Sequence, residues 1–324
     1  MTGYIVRRIL WMIPLIWAIV TITFVLMHNV EGGPFSRERE LPQSAIDNLN
    51  RKYHLDKPVL DWQVWDSQYG IYIWDLLHGN LGVSYRSANQ PVTDLIRDGF
   101  EVSAQLGLLA FLYAAVFGIS LGIMSALNQN GPLDYIGVFF ATAGAAMPNF
   151  ILATFLIIIF SVELGWFDVL GWGGPSWGKI YDPTAWDYRK IVLPVVSLGT
   201  LPAAYFARIT RASLLDVLNQ DYIRTARAKG LAEYVVILRH TIKNAMVPIL
   251  TVMGPYFAFL VTGSFIVESI FQIPGIGRRF VDAVLVRDYG MIMGTVLFYA
   301  VFVAVANFLV DLLYAVVDPR IRYT

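Results

Sequence analysis

The sequence predicts an all-α membrane protein with six transmembrane helices, and three observations lead to this fold class. The 324 residues are 56% hydrophobic and only 15% charged, whereas soluble domains are about 45–50% apolar and about 25% charged. Six apolar stretches are each long enough to cross a hydrocarbon core, which takes about 20 helical residues. Because these stretches are long and do not alternate between apolar and polar residues, they are typical of helices and not of barrel strands.

The six predicted spans belong to one transmembrane domain, residues 1–324. The first span is expected to remain uncleaved, because the apolar run at residues 9–27 is long enough to cross and no small-x-small cleavage site follows it. The predicted spans are residues 9–28, 102–127, 135–162, 191–210, 246–271 and 289–317.

Five prolines lie within or at the start of spans 3, 4 and 5. A proline inside a helix frees a carbonyl group and produces a kink. Kinked inner helices suit a pathway that opens on alternate sides of the membrane, although they are common in membrane proteins generally. The prolines are Pro148, Pro194, Pro202, Pro248 and Pro255.

The orientation of the spans follows from Lys and Arg residues near their ends, which favour the cytoplasmic side. Basic residues precede span 1, fill the loop between spans 4 and 5, and follow span 6. With six spans these three places share one side, so both termini and that loop are predicted to be cytoplasmic. Three arginines in an outer loop, Arg278, Arg279 and Arg287, run against this assignment.

Residues 30–100 form the only sizeable segment between predicted spans. We expect it to be extracytoplasmic and to contain short amphipathic helices, near residues 43–53 and 71–77. Its aromatic residues are typical of the headgroup layer, so a lid of short helices packed on the spans is favoured over an independent domain. The aromatic residues include Trp62, Trp65, Tyr69, Tyr72 and Trp74.

The basic loop at residues 221–245 is the strongest candidate for a functional element. Five basic residues face two acids there, and apolar residues recur at helical spacing, including Ile223, Ala226, Val235 and Leu238. Gly230 interrupts the pattern, which predicts a short helix, a turn and a second helix that runs into span 5. A basic loop that only fixes topology or lies on anionic lipid explains the composition equally well.

Two further motifs lie between spans 5 and 6. The run from Ile273 to Arg278 contains Pro274, Gly275 and Gly277, which predicts a tight turn after span 5. A structural turn is the favoured interpretation. The alternative is a hairpin that lines the outer mouth and contacts a binding protein through Pro274, Gly275, Gly277, Arg278, Arg287 and Asp288.

Two polar residues lie one turn apart in span 6. Asn307 and Asp311 are candidates for an intramembrane polar contact, since a carboxylate within a span usually faces protein or water. Asp311 is near the cytoplasmic end, so snorkelling or pairing with a partner subunit is the favoured role. Glu268, near the outer end of span 5, is interpreted in the same way.

Signals for enzymatic activity are missing from the sequence. The four His residues are scattered and there is no Cys. The sequence contains no H-E-x-x-H, G-x-S-x-G or G-x-x-x-x-G-K-[ST] motif. We therefore expect no catalytic, cofactor or metal site in this chain. The net charge of zero gives no global attraction to nucleic acid.

The basic loop also resembles a known motif. Arg224, Thr225, Ala226, Arg227, Ala228, Lys229 and Gly230 spell RTARAKG, which is similar to the coupling motif, or EAA loop, of ATP-binding-cassette importer permeases. Arg224 stands where many of these permeases carry Glu, and Pro248 lies later than their usual Leu-Pro. HGNLGVSYRS, PGIGR, RDY and the terminal DPRIR also resemble, in order, the first (B-type) permease subunit of the dipeptide/oligopeptide/nickel branch.

That resemblance implies a transport machine of several chains. The expected partners are a second, homologous permease, two ATPase subunits that hold ATP and Mg, an extracytoplasmic substrate-binding protein and the lipid bilayer. The implied mechanism is ATP-driven alternating access in a prokaryotic cytoplasmic membrane, with the short loop helix docked on an ATPase.

The cargo and two other functional classes stay open. Di- and oligopeptides are the first expectation for the cargo, with nickel chelates, glutathione and sugars as alternatives. A secondary transporter or channel that works without ATPases would need paired ionisable residues at mid-membrane, and these are almost missing here. An intramembrane enzyme would need a Ser/His, paired Asp or metal constellation, none of which is visible in the sequence.

Overall fold

The computed structural model describes residues 2–30, 34–35, 42–61, 66–87 and 90–317, without the side chains of residues 2–4, 43, 45 and 311–317. Within these ranges the regular structure is helical, and one isolated bridge joins Val83 to Pro91. Five helices are long and apolar enough to cross a membrane, and a sharply bent pair makes a sixth span if it is counted as one. The all-α membrane fold is therefore confirmed.

The chain divides into two compact units. The first comprises Met1–Gly99 and Arg279–Ala304, and the second comprises Phe100–Arg278 and Val305–Thr324. Helix α4 (Val92–Leu127) has residues in both units.

The first unit is built on helix α1 (Thr2–Asn29), with the short helices α2 (Gln43–Lys52) and α3 (Gln68–Leu77) after it. These two helices confirm the short helices predicted for residues 30–100. Val20 and Phe24 of α1 pack against Met293 and Leu297, which belong to the last helix. Tyr69, Tyr72, Ile73 and Leu76 of α3 lie against the same core.

The second unit is organised around helix α7 (Tyr188–Leu218), whose apolar side chains pack on α4 and on the helix that follows the basic loop. An ion pair connects α7 to the start of helix α5 (Pro132–Ala146). Arg211 donates from Nε and Nη2 to the two carboxylate oxygens of Asp134, at 2.7 and 2.8 Å. Asp134 is buried and also accepts a hydrogen bond from Ser125, so both charges of this pair are used within the chain.

Span 3 differs from the single span predicted at residues 135–162. Helix α5 ends at Ala146, and α6 (Asn149–Leu156), which continues with π-helical geometry over Ile157–Glu163, is bent from it by 108°. Pro148 has no N–H to continue the hydrogen-bond ladder, and it holds Met147 in an extended conformation. The predicted kink is therefore confirmed at Pro148. In contrast, Pro194 and Pro202 lie inside the continuous helix α7.

Span 5 is also longer and more broken than the stretch predicted at residues 246–271. It begins with α9 (Glu233–Val235), continues through a π-helical turn, Val236–Ile242, into α10 (Lys243–Val261), and is interrupted at Gly263 before α11 (Phe265–Ile270). Helices α12 (Ile276–Val286) and α13 (Tyr289–Val317) complete the described fold.

Candidate functional site

The basic loop folds as the sequence predicts, into a short helix, a turn and a second helix. Helix α8 (Asp221–Ala228) buries Ile223 and Ala226 on one face. These two side chains pack against Val236, at the start of the following π-helical turn, and against Val217 at the end of α7. Helix α8 is therefore fixed to both helices that flank it, which makes it a rigid element between two spans.

Gly230 ends α8 in a conformation that favours glycine. Its φ is +75°, in the left-handed region. The amide of Gly230 donates to the carbonyl of Arg227 at 2.9 Å, and the amide of Leu231 donates to that of Ala226 at 3.4 Å. This pair of bonds is the Schellman motif, in which a left-handed residue closes the last turn of a helix.

An ion pair bridges the Gly230 turn. Arg227 donates to Glu233 from Nη2 at 2.6 Å and from Nε at 3.2 Å, so the guanidinium binds both carboxylate oxygens. The Glu233 carboxylate raises the pKa of Arg227 above its usual range. Arg224, by contrast, is 72% exposed and only reaches Asp221, at 3.6 Å. The exposed face of α8 thus carries two arginines. Arg227 is held in place by Glu233, and Arg224 has only a weak contact, which leaves it accessible to a partner.

The apolar stripe predicted for this region is only partly correct. Ile223 and Ala226 are buried as expected, but Leu238 is 63% exposed, and Val236 is fully buried where the pattern had indicated Val235. The turn at Gly230 interrupts the helical phase before Val235, and the π-helical turn over Val236–Ile242 shifts it again. Hydrogen bonds from i to i+5 change the phase of the side chains, so a pattern based on 3.6 residues per turn no longer identifies the buried face. Four large side chains remain exposed around α8: Leu238, Tyr222, Leu231 and Tyr234.

The PGIGR hairpin comprises the turn after α11 and the first residues of α12, as the predicted turn requires. Of its candidate contact residues, Pro274 is exposed, Arg278 is half-buried, and Gly275 and Gly277 are buried. The Arg278 guanidinium donates to the carbonyl of Gln272 at 2.7 Å, which closes the turn. The glycines therefore pack inside the chain, and the surface of the hairpin consists of Pro274 and part of Arg278.

Glu268 organises this hairpin, and sequence reasoning misjudged it. Snorkelling or pairing with a partner subunit was the expected role, but the side chain is fully buried. The Ser103 hydroxyl donates to Oε1 at 2.8 Å, the amide of Ser264 donates to Oε1 at 3.1 Å, and the amide of Arg278 donates to Oε2 at 3.1 Å. Ser103 Oγ also accepts from the amide of Ile276 at 2.9 Å. The local sequence carries no signal for this role, because Ser103 lies 165 positions from Glu268.

Asp288 is also used inside the chain. It is buried, accepts hydrogen bonds from the hydroxyl of Ser84 and the amide of Tyr85, and caps α13 through the amide of Met291. Its neighbour Arg287 is half-buried and adopts φ +58°. The RDY motif thus joins the start of α13 to the residues of the GNLGVS stretch, and Asp288 offers no exposed carboxylate.

The intramembrane polar contact of Asn307 and Asp311 stays a prediction. Asn307 is exposed on α13, and the side chain of Asp311 lies outside the described residues, as do Asp318, Pro319, Arg320, Ile321 and Arg322 of the terminal motif. In the part of the chain that is described, His, Asp and Glu form no group of three or more that could hold a metal ion.

Comparison with solved structures agrees with a helical membrane fold of this kind. The chain resembles a subunit of the MetNI methionine ABC transporter in an inward-facing conformation, with a TM-score of 0.55 at 16% identity over 70% of this chain and 97% of that one. An amino acid ABC transporter gives a TM-score of 0.53 at 19% identity, over 68% and 94% of the two chains. At these identities the likeness shows a shared fold.

Sequence comparison identifies the family. Residues 118–323 match the model of the binding-protein-dependent transport system inner membrane components, and this chain belongs to that family. It is 41% identical over 322 residues to the dipeptide transport system permease protein DppB of Bacillus subtilis, covering 99% of this chain and 98% of the relative. It is 39% identical over 323 residues, the whole of both chains, to the oligopeptide transport system permease protein OppB of Escherichia coli.

Proposed function

We propose that this chain is the permease subunit of an ABC importer that passes di- and oligopeptides across the cytoplasmic membrane by ATP-driven alternating access. The observation that carries this proposal is the full-length match, at about 40% identity, to permeases named for dipeptide and oligopeptide transport. The match is not confined to one motif, so it supports the same use of the whole chain.

The family description supports the need for partner chains. A binding-protein-dependent system requires a protein that delivers the substrate, and this sequence has no P-loop to bind ATP. We assign delivery to an extracytoplasmic binding protein and hydrolysis, with ATP and Mg, to two ATPase subunits. A second, homologous permease completes the pathway, and both termini of this chain lie in the cytoplasm.

Helix α8 is the element that receives the ATPase stroke in this proposal. Ile223 and Ala226 hold it against Val236, and the Arg227–Glu233 pair and the Schellman turn fix its C-terminal end. Because these contacts leave little freedom of movement between α8 and span 5, a displacement of α8 moves the start of span 5 with it. Its exposed basic residues and the neighbouring exposed Tyr222 and Tyr234 form the docking face.

Transport by the reconstituted complex tests the proposed function. The permease pair, both ATPases and the binding protein are placed in vesicles, and uptake is measured for a di- and a tripeptide, a nickel chelate, glutathione and a disaccharide. We expect uptake of the peptides only, dependent on ATP and on the binding protein. Peptide uptake by this chain without ATPases, or selective uptake of another cargo, would contradict the proposal.

A further inference from the structure

A cavity of about 290 Å³ lies within the first unit. Residues of α1, of the turn after α2, of α3 and of the start of α13 line it, among them Phe24, Tyr53, Tyr72 and Tyr289. Pockets for small molecules are roughly 300–1,000 Å³, so this volume suits a ligand of one or two amino-acid residues. No role in coupling or in the span-5 hairpin accounts for this cavity.

One side of the cavity is a chain of aromatic rings. The ring centroids of Tyr53 and Tyr85 are 4.2 Å apart, those of Tyr85 and Tyr289 are 6.4 Å apart, and those of Phe24 and Tyr72 are 6.1 Å apart. Aromatic rings give a ligand a rigid apolar surface, and their faces attract cations. The wall can therefore hold either an apolar side chain or an ammonium group.

Charges of both signs line the same cavity. Lys52 Nζ lies 5.3 Å from the centroid of the Tyr53 ring, and Asp75 is contributed by α3. Within the described residues neither Lys52 nor Asp75 has a partner of opposite charge. A cation and an anion at one cavity match a ligand that carries both charges, since Lys52 can bind a carboxylate and Asp75 can bind an ammonium group.

A buried hydroxyl also indicates a ligand. His54, which lines the cavity beside Lys52, is held in place as the left-handed residue (φ +57°) that closes the last turn of α2. Its amide donates to the carbonyl of Arg51 at 3.2 Å, and the amide of Leu55 donates to that of Asn50 at 2.8 Å. The Tyr72 hydroxyl is buried and finds no hydrogen-bond partner in the described parts of the chain, whereas buried hydroxyls are normally satisfied.

Neighbouring residues show that unpaired charge is not general in this segment. Lys57 and Asp66 form an ion pair at 2.6 Å, and neither lines the cavity. His28 and Gln68 do line it, but they bind each other at 3.0 Å, and Gln68 also donates to the carbonyl of Lys57. The free hydrogen-bonding capacity of the cavity therefore includes Lys52, His54, Asp75 and the Tyr72 hydroxyl.

We propose that this cavity binds a short peptide with free termini, its carboxylate at Lys52 and His54, its ammonium group at Asp75 and its side chains on the tyrosine wall. The zwitterionic chemistry follows from the residues of the cavity, and the choice of a peptide rests on the proposed function. With residues 30–100 outside the cytoplasm, the cavity is a low-affinity site for cargo on the permease itself, separate from the binding protein.

Equilibrium binding to the assembled complex tests the inference. The permease pair with its ATPases, in nanodiscs and without binding protein, is titrated with radiolabelled L-alanyl-L-alanine, its C-terminal amide and its N-acetyl derivative. We expect saturable binding of the free dipeptide, and binding weaker by about tenfold or more for each blocked form, because each loses one charge-assisted interaction. Lys52→Gln should abolish the preference over the amide, and Asp75→Asn the preference over the acetylated form.

Two matched variants are the controls. Lys57→Gln and Asp66→Asn remove the same charges from the same segment outside the cavity, and both should bind all three ligands like the unsubstituted complex. Equal binding of the three ligands, no saturable binding, or preferences unchanged by Lys52→Gln and Asp75→Asn would overturn the inference. Lys52→Arg and Asp75→Glu keep the charges and serve if the first variants do not assemble. Peptide uptake by the complete system is measured separately, so the proposed function can stand or fall independently of this site.

Discussion

Two turns in the second unit each depend on a glycine, but for opposite reasons. Gly230 has φ +75°, and a Cβ at this position would have no neighbour within 4 Å. Gly275 has no such backbone requirement, but a Cβ there would collide with the carboxylate of Glu268 and the hydroxyl of Ser103. The first turn is held by its own backbone and an exposed ion pair, and the second by a buried carboxylate. The turn at Gly230 is therefore suited to meeting a moving partner, and the hairpin at Gly275 to fixing two helices.

Removal of the buried carboxylate should have the largest effect on stability. Glu268→Ala leaves the Ser103 hydroxyl and the amides of Ser264 and Arg278 without their acceptor. Each unsatisfied buried donor costs about 1–3 kcal/mol, so we expect the free energy of unfolding to fall by roughly 3 kcal/mol or more. Denaturation of the purified complex, followed by circular dichroism, measures the change.

Glu233→Ala is the control for this comparison, since it removes an exposed carboxylate from the other turn. Its unfolding midpoint should stay close to that of the unsubstituted chain. If the two variants lost equal stability, the contrast between a buried and an exposed anchor would be wrong. Glu268→Gln keeps the shape of the side chain and one acceptor oxygen, so its loss should lie between those of the two alanine variants.

Gly275→Ala should destabilise the hairpin through crowding. A methyl group there forces Glu268 or Ser103 from its position, and overpacking of this kind costs about 1–3 kcal/mol. Gly178→Ala is the matched control, because that position has open space around it. Thermal unfolding of both variants in detergent decides the point: a Gly275→Ala midpoint equal to that of Gly178→Ala would show that the close approach does not matter.

The features that the sequence predicts well are those that depend on neighbours along the chain. Apolar length alone indicates the spans, and the position of Gly230 after an amphipathic octet predicts both α8 and its cap. The turn at PGIGR and the bend at Pro148 also follow from local restrictions on φ and on hydrogen bonding. These effects act within a few residues, so periodicity and turn residues are enough to detect them.

The features that the sequence does not predict depend on contacts between distant segments. Ser103 meets Glu268 across 165 positions, and Ser84 meets Asp288 across 204. Nothing in the local pattern distinguishes a carboxylate that will be buried on backbone amides from one that will reach a partner. The π-helical turn over Val236–Ile242 is likewise missed, because the sequence pattern was interpreted with the period of a regular α-helix.

Gly230→Ala should have a moderate effect, since only the backbone conformation opposes it. An alanine at φ +75° costs about 1–2 kcal/mol, and that loss should be smaller than the losses of Glu268→Ala and Gly275→Ala. Gly230→Asn should lose less than Gly230→Ala, because asparagine tolerates the left-handed region. Thermal unfolding of the two variants measures this order. A greater loss for asparagine would indicate a steric requirement that the open surroundings of Gly230 do not show.

Reversal of the Arg227 charge at the Gly230 turn should change the stability of the protein least and its peptide uptake most. Arg227→Glu places two carboxylates where the exposed pair with Glu233 now lies. Exposed ion pairs add little to stability, so the complex should still assemble and unfold near its usual midpoint. ATP-driven peptide uptake in vesicles should fall sharply, while ATP hydrolysis continues, because the joint between α8 and span 5 loosens.

The double variant Arg227→Glu with Glu233→Arg separates geometry from charge. It restores an ion pair across the Gly230 turn with its polarity reversed, so it should recover uptake if α8 acts as a rigid connection between the ATPase and span 5. Arg224→Glu is the matched single reversal, on a side chain that only weakly contacts Asp221, and it leaves the bridge across the turn intact. If Arg227→Glu transported peptide normally, the ion pair would have no part in coupling. If Arg227→Glu and the double variant both failed to transport peptide, the ATPase would contact the Arg227 cation itself, and the bridge would not be the important feature.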